Sequence, residues 1–312
     1  MKATTAVDLN GLAFQSPVLV ASGCFGTGKE VSGIVDPGKL GGVVTRTITA
    51  LPRRGAPGPR VGETISGMLY CVGWQNPGVE AFLDEELPRL ARPGLPIVVS
   101  VGGASLEEFV RVTGAVGRAP GVAALEVALG GPDEELGLEA FAARPERAAE
   151  VAGAVARLAP LPVFAKLPAL VADLAETARA CVRAGVHGLT LVDAVPAMAV
   201  DIDAMRPLLG GATGYLSGPA IRPIAVRAVY EVARVLPGVP IIGVGGVVTG
   251  RDAAEMMLAG AWAVQVGTAA LVDPAAPVDI AQGLLAFLRE KGLASPADLR
   301  GLLRTARGGG VG

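Results

Sequence analysis

Short runs of Val, Ile and Leu alternate along the chain with Ala-rich segments in which apolar residues recur every three or four positions. The short runs predict strands that are buried on both faces, as in a parallel sheet, and the longer segments predict amphipathic helices. The eight candidate strands cover residues 17–22, 41–47, 96–101, 123–129, 162–167, 188–193, 240–246 and 263–268. Helical patterns between them include residues 145–159, 173–185 and 221–236.

Eight strand–helix units in about 250 residues match the size of one (β/α)8 barrel, or TIM barrel. A doubly wound sheet with an added domain is the alternative fold. The barrel is favoured because eight units are present and because the glycine-rich strand ends come late in the chain. No low-complexity linker divides the sequence, so we predict a single α/β domain, a TIM barrel, over residues 1–312.

Composition and charge exclude several classes of protein. No apolar run approaches the roughly 18 residues of a membrane-spanning helix, and the opening MKATTAVDLNG lacks the apolar core of a secretory signal, so a cytoplasmic location is expected. A net charge of −2 gives no electrostatic reason to bind nucleic acid or an anionic membrane. With one histidine and three scattered cysteines, the chain offers no metal site.

Glycines at the ends of the last two candidate strands indicate a phosphate site. The segment Gly243–Gly246 closes the seventh strand, and Val266–Thr268 closes the eighth. TIM barrels frequently bind phosphate in the loops after these two strands, where glycines let the backbone approach an anion. Ser217 and Gly218 precede a predicted helix and could donate to the same phosphate. The alternative is that these glycines form tight turns and that Ser217 only caps a helix.

Three further strand ends carry candidate chemistry. Ala21, Ser22 and Gly23 form an unusually small tripeptide after the first strand, where a flat ring could lie against the barrel mouth. Lys166 ends the fifth strand among apolar neighbours, which favours a functional ammonium that neutralises an anion on a bound cofactor over a solvated side chain. Arg46 lies at the end of the second strand.

Taken together, these motifs resemble the dihydroorotate dehydrogenases, FMN-dependent TIM barrels of pyrimidine synthesis. The resemblance extends to about residue 290 and lies in ASGCFG (21–26), GWQNPG (73–78), Lys166-Leu167, LSGPA (216–220), GVGG (243–246) and VGT (266–268). The ASGCFG segment points to the soluble, NAD-linked class, whose catalytic subunit works with an iron–sulfur flavoprotein subunit. A homodimer is implied by analogy alone.

The resemblance also implies roles for individual residues. Lys166 would stabilise the negative charge that develops on the flavin during hydride transfer. The FMN phosphate and ribityl chain would be held by Ser217, Gly218, Gly245, Gly246, Gly267 and Thr268. The flavin ring would be contacted by Ala21, Ser22, Gly23 and Val192.

The expected substrate site departs from the family pattern. The family's fourth strand ends in a cysteine that deprotonates dihydroorotate, and the matching residue here is Gly131. Loss of a general base typically lowers a rate about a hundredfold to ten-thousandfold. Other positions depart as well. Tyr70 and Asp193 stand where the family has orotate-binding asparagines, and Arg46 stands where it has a lysine. Ser100 and Ala128 replace asparagines expected near the flavin and substrate. Gly73 lies in the loop expected to border the substrate.

Two residues could compensate for the missing base. Cys71, in the same expected loop as Tyr70, could be a relocated base, although a small buried apolar role is the alternative. Tyr70 could act as an acid or form an aromatic wall. Three functions therefore remain open: a dihydroorotate dehydrogenase with an altered site, a related FMN enzyme for another small molecule, and a non-catalytic flavin-binding barrel that acts as a binding partner.

Overall fold

A closed barrel of eight parallel strands forms the centre of the molecule in the computed structural model, which describes residues 3–31, 33–130, 141–193 and 195–304. The barrel strands follow one another around the cylinder in chain order, which confirms the predicted TIM barrel. They are β3 (Val18–Val20), β4 (Gly42–Val44), β7 (Ile97–Val101), β8 (Val122–Ala128), β9 (Val163–Pro168), β10 (Gly188–Asp193), β15 (Ile241–Val244) and β16 (Ala263–Val266).

Helices surround the barrel at the predicted places. The three helices expected from apolar periodicity are confirmed with their ends shifted by one or two residues. A short π-helical stretch, Phe82–Glu86, joins the first two helices. In the described residues the helices are α1 (Val79–Ala81), α2 (Leu87–Leu90), α3 (Leu106–Val116), α4 (Pro145–Leu158), α5 (Leu174–Arg183), α6 (Arg222–Val235), α7 (Gly250–Leu258), α8 (Thr268–Val272) and α9 (Ala276–Glu290). None of them is long and apolar enough to cross a membrane.

The amino-terminal end of the barrel is filled with apolar side chains. Leu19, Val98, Phe164 and Ile242 belong to one buried cluster with the hairpin of β1 (Val7–Asp8) and β2 (Ala13–Phe14). Full burial of an aliphatic or aromatic side chain stabilises a fold by roughly 1.5–3 kcal/mol. This end is therefore a packed core, and ligands must bind at the other end.

The interior of the barrel becomes polar toward the carboxyl ends of its strands. Alternate residues of a strand face the same side, so the residue two positions after an apolar plug residue also faces inward. Ser100 follows Val98 and Lys166 follows Phe164 in this way. Both side chains line a cavity at the carboxyl ends of the strands.

A four-stranded antiparallel sheet borders this cavity and was not predicted. Its strands run in the order β11 (Val195–Ala197), β14 (Gly214–Ser217), β6 (Gly67–Tyr70) and β5 (Val61–Thr64). Tyr70 therefore ends a strand and does not lie in a loop as expected, because β6 pairs with strands on both sides. Six strands belong neither to the barrel nor to the hairpin at its base: β5 (Val61–Thr64), β6 (Gly67–Tyr70), β11 (Val195–Ala197), β12 (Val200–Asp201), β13 (Arg206–Pro207) and β14 (Gly214–Ser217).

Candidate active site

A cavity of about 870 Å³ lies between the carboxyl ends of the barrel strands and the antiparallel sheet. Its volume is within the usual range for a cofactor or drug-sized ligand. The lining includes every residue predicted to contact the cofactor: Ala21, Ser22, Gly23, Lys166, Val192, Ser217, Gly218, Gly245, Gly246, Gly267 and Thr268. It also includes Arg46, Tyr70, Cys71, Gly73 and Asp193, whereas Gly131 lies outside the described residues.

One end of the cavity is a cradle of glycines, which we call the glycine end: Gly218, Gly245, Gly246, Gly267 and the neighbouring Ser217 and Thr268. Gly246 has φ +72°, and a Cβ there would lie 2.9 Å from the backbone nitrogen of Arg222. Gly218 has φ +90°, and its Cβ would approach the Gly67 Cα to 3.1 Å. Only glycine satisfies both the backbone conformation and the close approach at these positions.

The glycine end also presents hydrogen-bond donors. Among the described residues, the backbone amides of Gly246 and Thr268 have no acceptor within the protein. The Thr268 hydroxyl donates to Ser217 Oγ at 2.8 Å, and the Ser217 hydroxyl in turn donates to the Met68 carbonyl at 3.2 Å. Free amides around glycines suit an anion such as a phosphate ester, and the Thr268 hydroxyl can rotate from Ser217 to donate to it. The residues at this end therefore fit the phosphate of FMN.

Lys166 is a buried cation on the barrel side of the cavity. Its side chain is 9% exposed, and its Nζ lies 3.2 Å from the Glu126 Oε1. Burial alone would lower the pKa of Lys166, but the charges of Glu126 and Asp193 outweigh that effect and hold its pKa above the ordinary value. The ammonium is therefore a permanent positive charge in a poorly solvated place.

Glu126 was not predicted as a site residue. Its carboxylate is fully buried and accepts hydrogen bonds from Thr190 Oγ1 at 3.0 Å and Gln265 Nε2 at 2.6 Å. These bonds come from β10 and β16. Together with its own strand β8, three strands of the barrel therefore fix the carboxylate that faces Lys166. The available signal was one acidic residue inside the apolar run 123–129, since a buried charge in a strand needs a partner.

Small residues after β3 leave one side of the cavity open. The Ser22 hydroxyl donates to the Thr45 carbonyl at 2.9 Å, so it anchors the segment to the next strand. Desolvation raises the pKa of the neighbouring Cys24 thiol to about 11, although Lys166 acts in the opposite direction. Cys24 is therefore a neutral thiol at physiological pH.

The other end of the cavity, which we call the substrate end, is formed by Tyr70, Tyr215, Asp193, Gly130 and Cys71. Tyr70 and Tyr215 are paired across β6 and β14, with ring centroids 5.8 Å apart. Burial raises the pKa of Tyr70 well above its ordinary value, and the charge of Asp193 raises it further. Tyr70 therefore stays protonated and faces the cavity as a neutral phenol.

Asp193 and Gly130 come from the ends of two barrel strands that flank β9 and lie close together in the cavity. Asp193 is the last residue of β10, and Gly130 follows β8. A Cβ on Gly130 would lie 2.9 Å from Asp193 Oδ2 and 3.2 Å from the Pro168 Cβ. The Asp193 carboxylate thus fills the space into which a side chain at residue 130 would project.

Arg46 and Cys71 lie at the margins of this end. The Nε of Arg46 lies 3.7 Å from the Glu86 Oε2, and its side chain is 31% exposed. The Cys71 backbone amide donates to the Arg60 carbonyl at 2.8 Å, and its half-buried thiol lies 3.7 Å from where a Cβ on Gly211 would be. Both residues line the cavity, and their roles in binding and catalysis remain predictions.

The predicted loop of residues 73–78 is held by its asparagine. The Asn76 amide donates to Thr49 Oγ1 and to the Trp74 carbonyl, both at 2.8 Å, while its oxygen accepts from the amides of Thr49 and Gly78. This network fixes Trp74 at the cavity wall, with the Arg53 guanidinium 5.6 Å from its ring centroid. Asn76 therefore organises the loop without facing a ligand.

Comparison with known proteins connects this geometry to a family. The family model for dihydroorotate dehydrogenase matches residues 4–288. This chain belongs to the dihydroorotate dehydrogenase family. The family predicted from the sequence motifs is therefore confirmed, and membership makes the chain an oxidoreductase.

The dihydroorotate dehydrogenase family members most similar to the chain include bacterial catalytic subunits. The chain is 45% identical over 301 residues to the catalytic subunit of dihydroorotate dehydrogenase B (NAD(+)) from Desulforudis audaxviator, covering 96% of this chain and 98% of that protein. Proteins of the same name from Geotalea daltonii and Pelobacter propionicus are 42% and 43% identical over 303 residues, each covering 97% of this chain and 99% of the relative. The likeness thus spans nearly the whole of each protein.

Proposed function

We propose that the protein is the FMN-dependent catalytic subunit of a dihydroorotate dehydrogenase, which oxidises dihydroorotate to orotate in pyrimidine biosynthesis. The observation that carries this proposal is that one cavity is lined both by the glycine cradle and by Lys166, the cation of the buried pair with Glu126. Relatives with the catalytic-subunit name, alike over nearly their full lengths, support the same activity.

Different residues of the cavity would hold different parts of the cofactor. FMN, when bound, supplies the acceptor for a hydride. Ser217, Thr268 and the amide of Gly246 would hold its phosphate, and the small residues 21–23 would leave room for its ring. Lys166 would hold a positive charge beside the reduced ring, where a fixed cation in a water-poor cavity is most effective.

A partner subunit is part of the proposal. Because the relatives are named as catalytic subunits, the electrons are proposed to leave through a second subunit, an iron–sulfur flavoprotein as the resemblance implies. A homodimer of the catalytic chain and a cytoplasmic location complete the proposal. Light scattering and co-purification with such a subunit would test the assembly.

The activity itself is tested by anaerobic reduction of the flavin. The purified protein is expected to be yellow, with about one FMN per chain, and dihydroorotate should bleach the visible flavin band. Dithionite provides the control, because it reduces an accessible flavin whatever the substrate. Purified protein that neither carries nor takes up FMN would contradict the proposal at its first step.

A second candidate function is favoured by one observation. The Asp193 carboxylate lies at the substrate end, where the family resemblance implies an asparagine, and it would repel the carboxylate of dihydroorotate. A related oxidoreductase acting on another small molecule would suit this charge. In that case dithionite would bleach the flavin and dihydroorotate would not.

A further inference from the structure

The proposed oxidation removes a hydride and a proton from adjacent carbons, so the site needs a proton acceptor. The resemblance places that acceptor at residue 131, which is glycine in this chain. We propose that the Asp193 carboxylate is the proton acceptor of this enzyme. This inference rests on the proposed function and concerns the same cavity.

Asp193 lies beside Gly130, the residue immediately before the position at which the resemblance places the missing base. Its Oδ2 is 2.9 Å from the Cβ position of Gly130, at the end of β8. Gly130 does not have a left-handed backbone, so its conformation would accept any residue. What Gly130 provides is space, and the Asp193 carboxylate occupies it. The two residues are thus sterically linked, because any side chain at residue 130 would meet the Asp193 carboxylate.

The lining of the cavity offers few other acceptors. Among the described residues that line it, Asp193 is the one carboxylate, and no histidine is present. The Cys24 thiol has a pKa of about 11, and the pKa of Tyr70 is raised well above its ordinary value, so both keep their protons at neutral pH. Lys166 is held as a cation. Cys71 is the remaining rival, and it lies beside Gly211 at the end of β6.

Two ionisable side chains lie close enough to Asp193 to feel its charge. Lys166 from β9 and Tyr70 from β6 both respond to its negative charge, which places a cation and a neutral phenol near the carboxylate. A carboxylate accepts a proton without activation, whereas a thiol or a phenol must first lose its own proton. A carboxylate base at this place would therefore need no second group to activate it.

The chemical step balances with groups that the proposal names. Asp193 removes the proton from the substrate carbon next to a ring carbonyl, and the electrons of that C–H bond form the new C=C bond. A bound flavin would supply the two-electron acceptor for the hydride that leaves the adjacent carbon. The proton on Asp193 then passes to solvent, and Lys166 balances the charge of the reduced flavin.

The test compares wild-type protein with Asp193→Asn, which restores the amide that the resemblance implies. Two quantities are measured: the anaerobic rate of flavin bleaching by dihydroorotate, and the Kd of orotate from the flavin difference spectrum. The rate is expected to fall about a hundredfold to ten-thousandfold. The orotate Kd is expected to stay the same or tighten, because an anion no longer faces the orotate carboxylate. Asp203→Asn, on an exposed hairpin outside the cavity, is the matched control.

A second variant makes the result specific. Gly131→Cys in the Asp193→Asn background is expected to recover part of the bleaching rate, because it returns the cysteine that the resemblance implies at this position. A structural role for Asp193 would instead weaken orotate binding and slow bleaching together. That result would overturn the inference, as would an unchanged rate in Asp193→Asn or the loss of bleaching in Cys71→Ser alone.

Failure of the proposed function is distinguishable from failure of this inference. Wild-type flavin that dithionite bleaches and dihydroorotate does not would refute the proposed substrate, and the role of Asp193 toward it would fall as well. Wild-type flavin that dihydroorotate bleaches, with an equally fast Asp193→Asn variant, would refute only the inference.

Discussion

The glycine end and the substrate end of the cavity are constructed in different ways. At the glycine end the recognition groups belong mainly to the backbone, and Gly218 and Gly246 each have positive φ and a neighbour within 3.1 Å of any added Cβ. At the substrate end the groups are side chains, among them Tyr70 and Asp193, on strands that accept many residues. A backbone site tolerates few substitutions, whereas a side-chain site can change its chemistry at single positions without disturbing the fold.

This difference agrees with the prediction from the sequence that the glycine end keeps the family pattern and the substrate end departs from it. A side chain at Gly246 would collide with the backbone of α6, so the phosphate cradle depends on the glycine itself. A residue at position 70 is held by its backbone pairing in β6, which is indifferent to the side chain. Cofactor binding can therefore persist while substrate recognition changes. The following predictions test how independent the two ends are.

The largest effect is expected from Lys166→Met, between the two ends. Loss of the cation should slow flavin reduction by about a hundredfold to a thousandfold, the usual consequence of removing one charge-stabilising group. It also leaves Glu126 buried without its ion pair, which costs about 3–5 kcal/mol of stability. Anaerobic reduction and thermal unfolding measure the two effects.

The double variant Lys166→Met/Glu126→Gln separates stability from catalysis. Removing both charges should recover much of the lost stability, while the slow reduction should persist. A double variant that reduces its flavin at the wild-type rate would show that Lys166 serves the fold alone.

Gly246→Ala should weaken FMN binding at least tenfold. The new Cβ meets the backbone nitrogen of Arg222 at 2.9 Å, so either the cradle or α6 must move. Gly238→Ala is the matched control, because Gly238 has a similar φ of +81° with nothing within 4 Å of an added Cβ. Both variants lose about 1–2 kcal/mol of stability from the left-handed backbone. Fluorescence titration of the flavin-free proteins measures the Kd, and equal values in the two variants would contradict the cradle.

Tyr70→Asn should change the substrate end and spare the glycine end. The amide offers both a donor and an acceptor to orotate, and one added hydrogen bond is worth about 1 kcal/mol, so the orotate Kd should tighten about three- to tenfold. The FMN Kd should stay unchanged, as should both constants in Tyr230→Asn on α6, which lies outside the cavity. Weaker orotate binding in Tyr70→Asn would mean that the phenol itself recognises the substrate.

The sequence predicted the barrel well because its signals are local. Each buried strand is a continuous apolar run, and each glycine turn is visible in a few letters, so the eight strands and the glycine end followed directly. The antiparallel sheet was missed because β5, β6, β11 and β14 are short and pair across distant parts of the chain. Their signal depends on partners that no local window contains.

The charge network was missed for a similar reason. Glu126, Thr190 and Gln265 come from three strands, and only closure of the barrel brings them within hydrogen-bonding distance. The link between Gly130 and Asp193 is likewise a contact across β9 between residues that lie 63 positions apart in the chain. Residue types indicated that the substrate end was altered, whereas the spatial relation of the altered residues required the fold.

The smallest effect is expected at Cys24, because the charge of Lys166 lowers the pKa of its thiol. Because the pKa of Cys24 is raised from 9.0 to about 11, its folded-state stability contribution is present below pH 9 and is lost as the pH rises through 11. In flavin-free protein its alkylation by iodoacetamide, mapped by mass spectrometry, should therefore be slow at pH 8 and increase about tenfold per pH unit toward 11. In Lys166→Met the cation no longer lowers this pKa, so alkylation at any given pH should be slower still. Faster alkylation in Lys166→Met, with the folded structure retained by circular dichroism, would contradict this expectation. It would mean that Lys166 shields the thiol sterically and that its charge does not lower the pKa of Cys24.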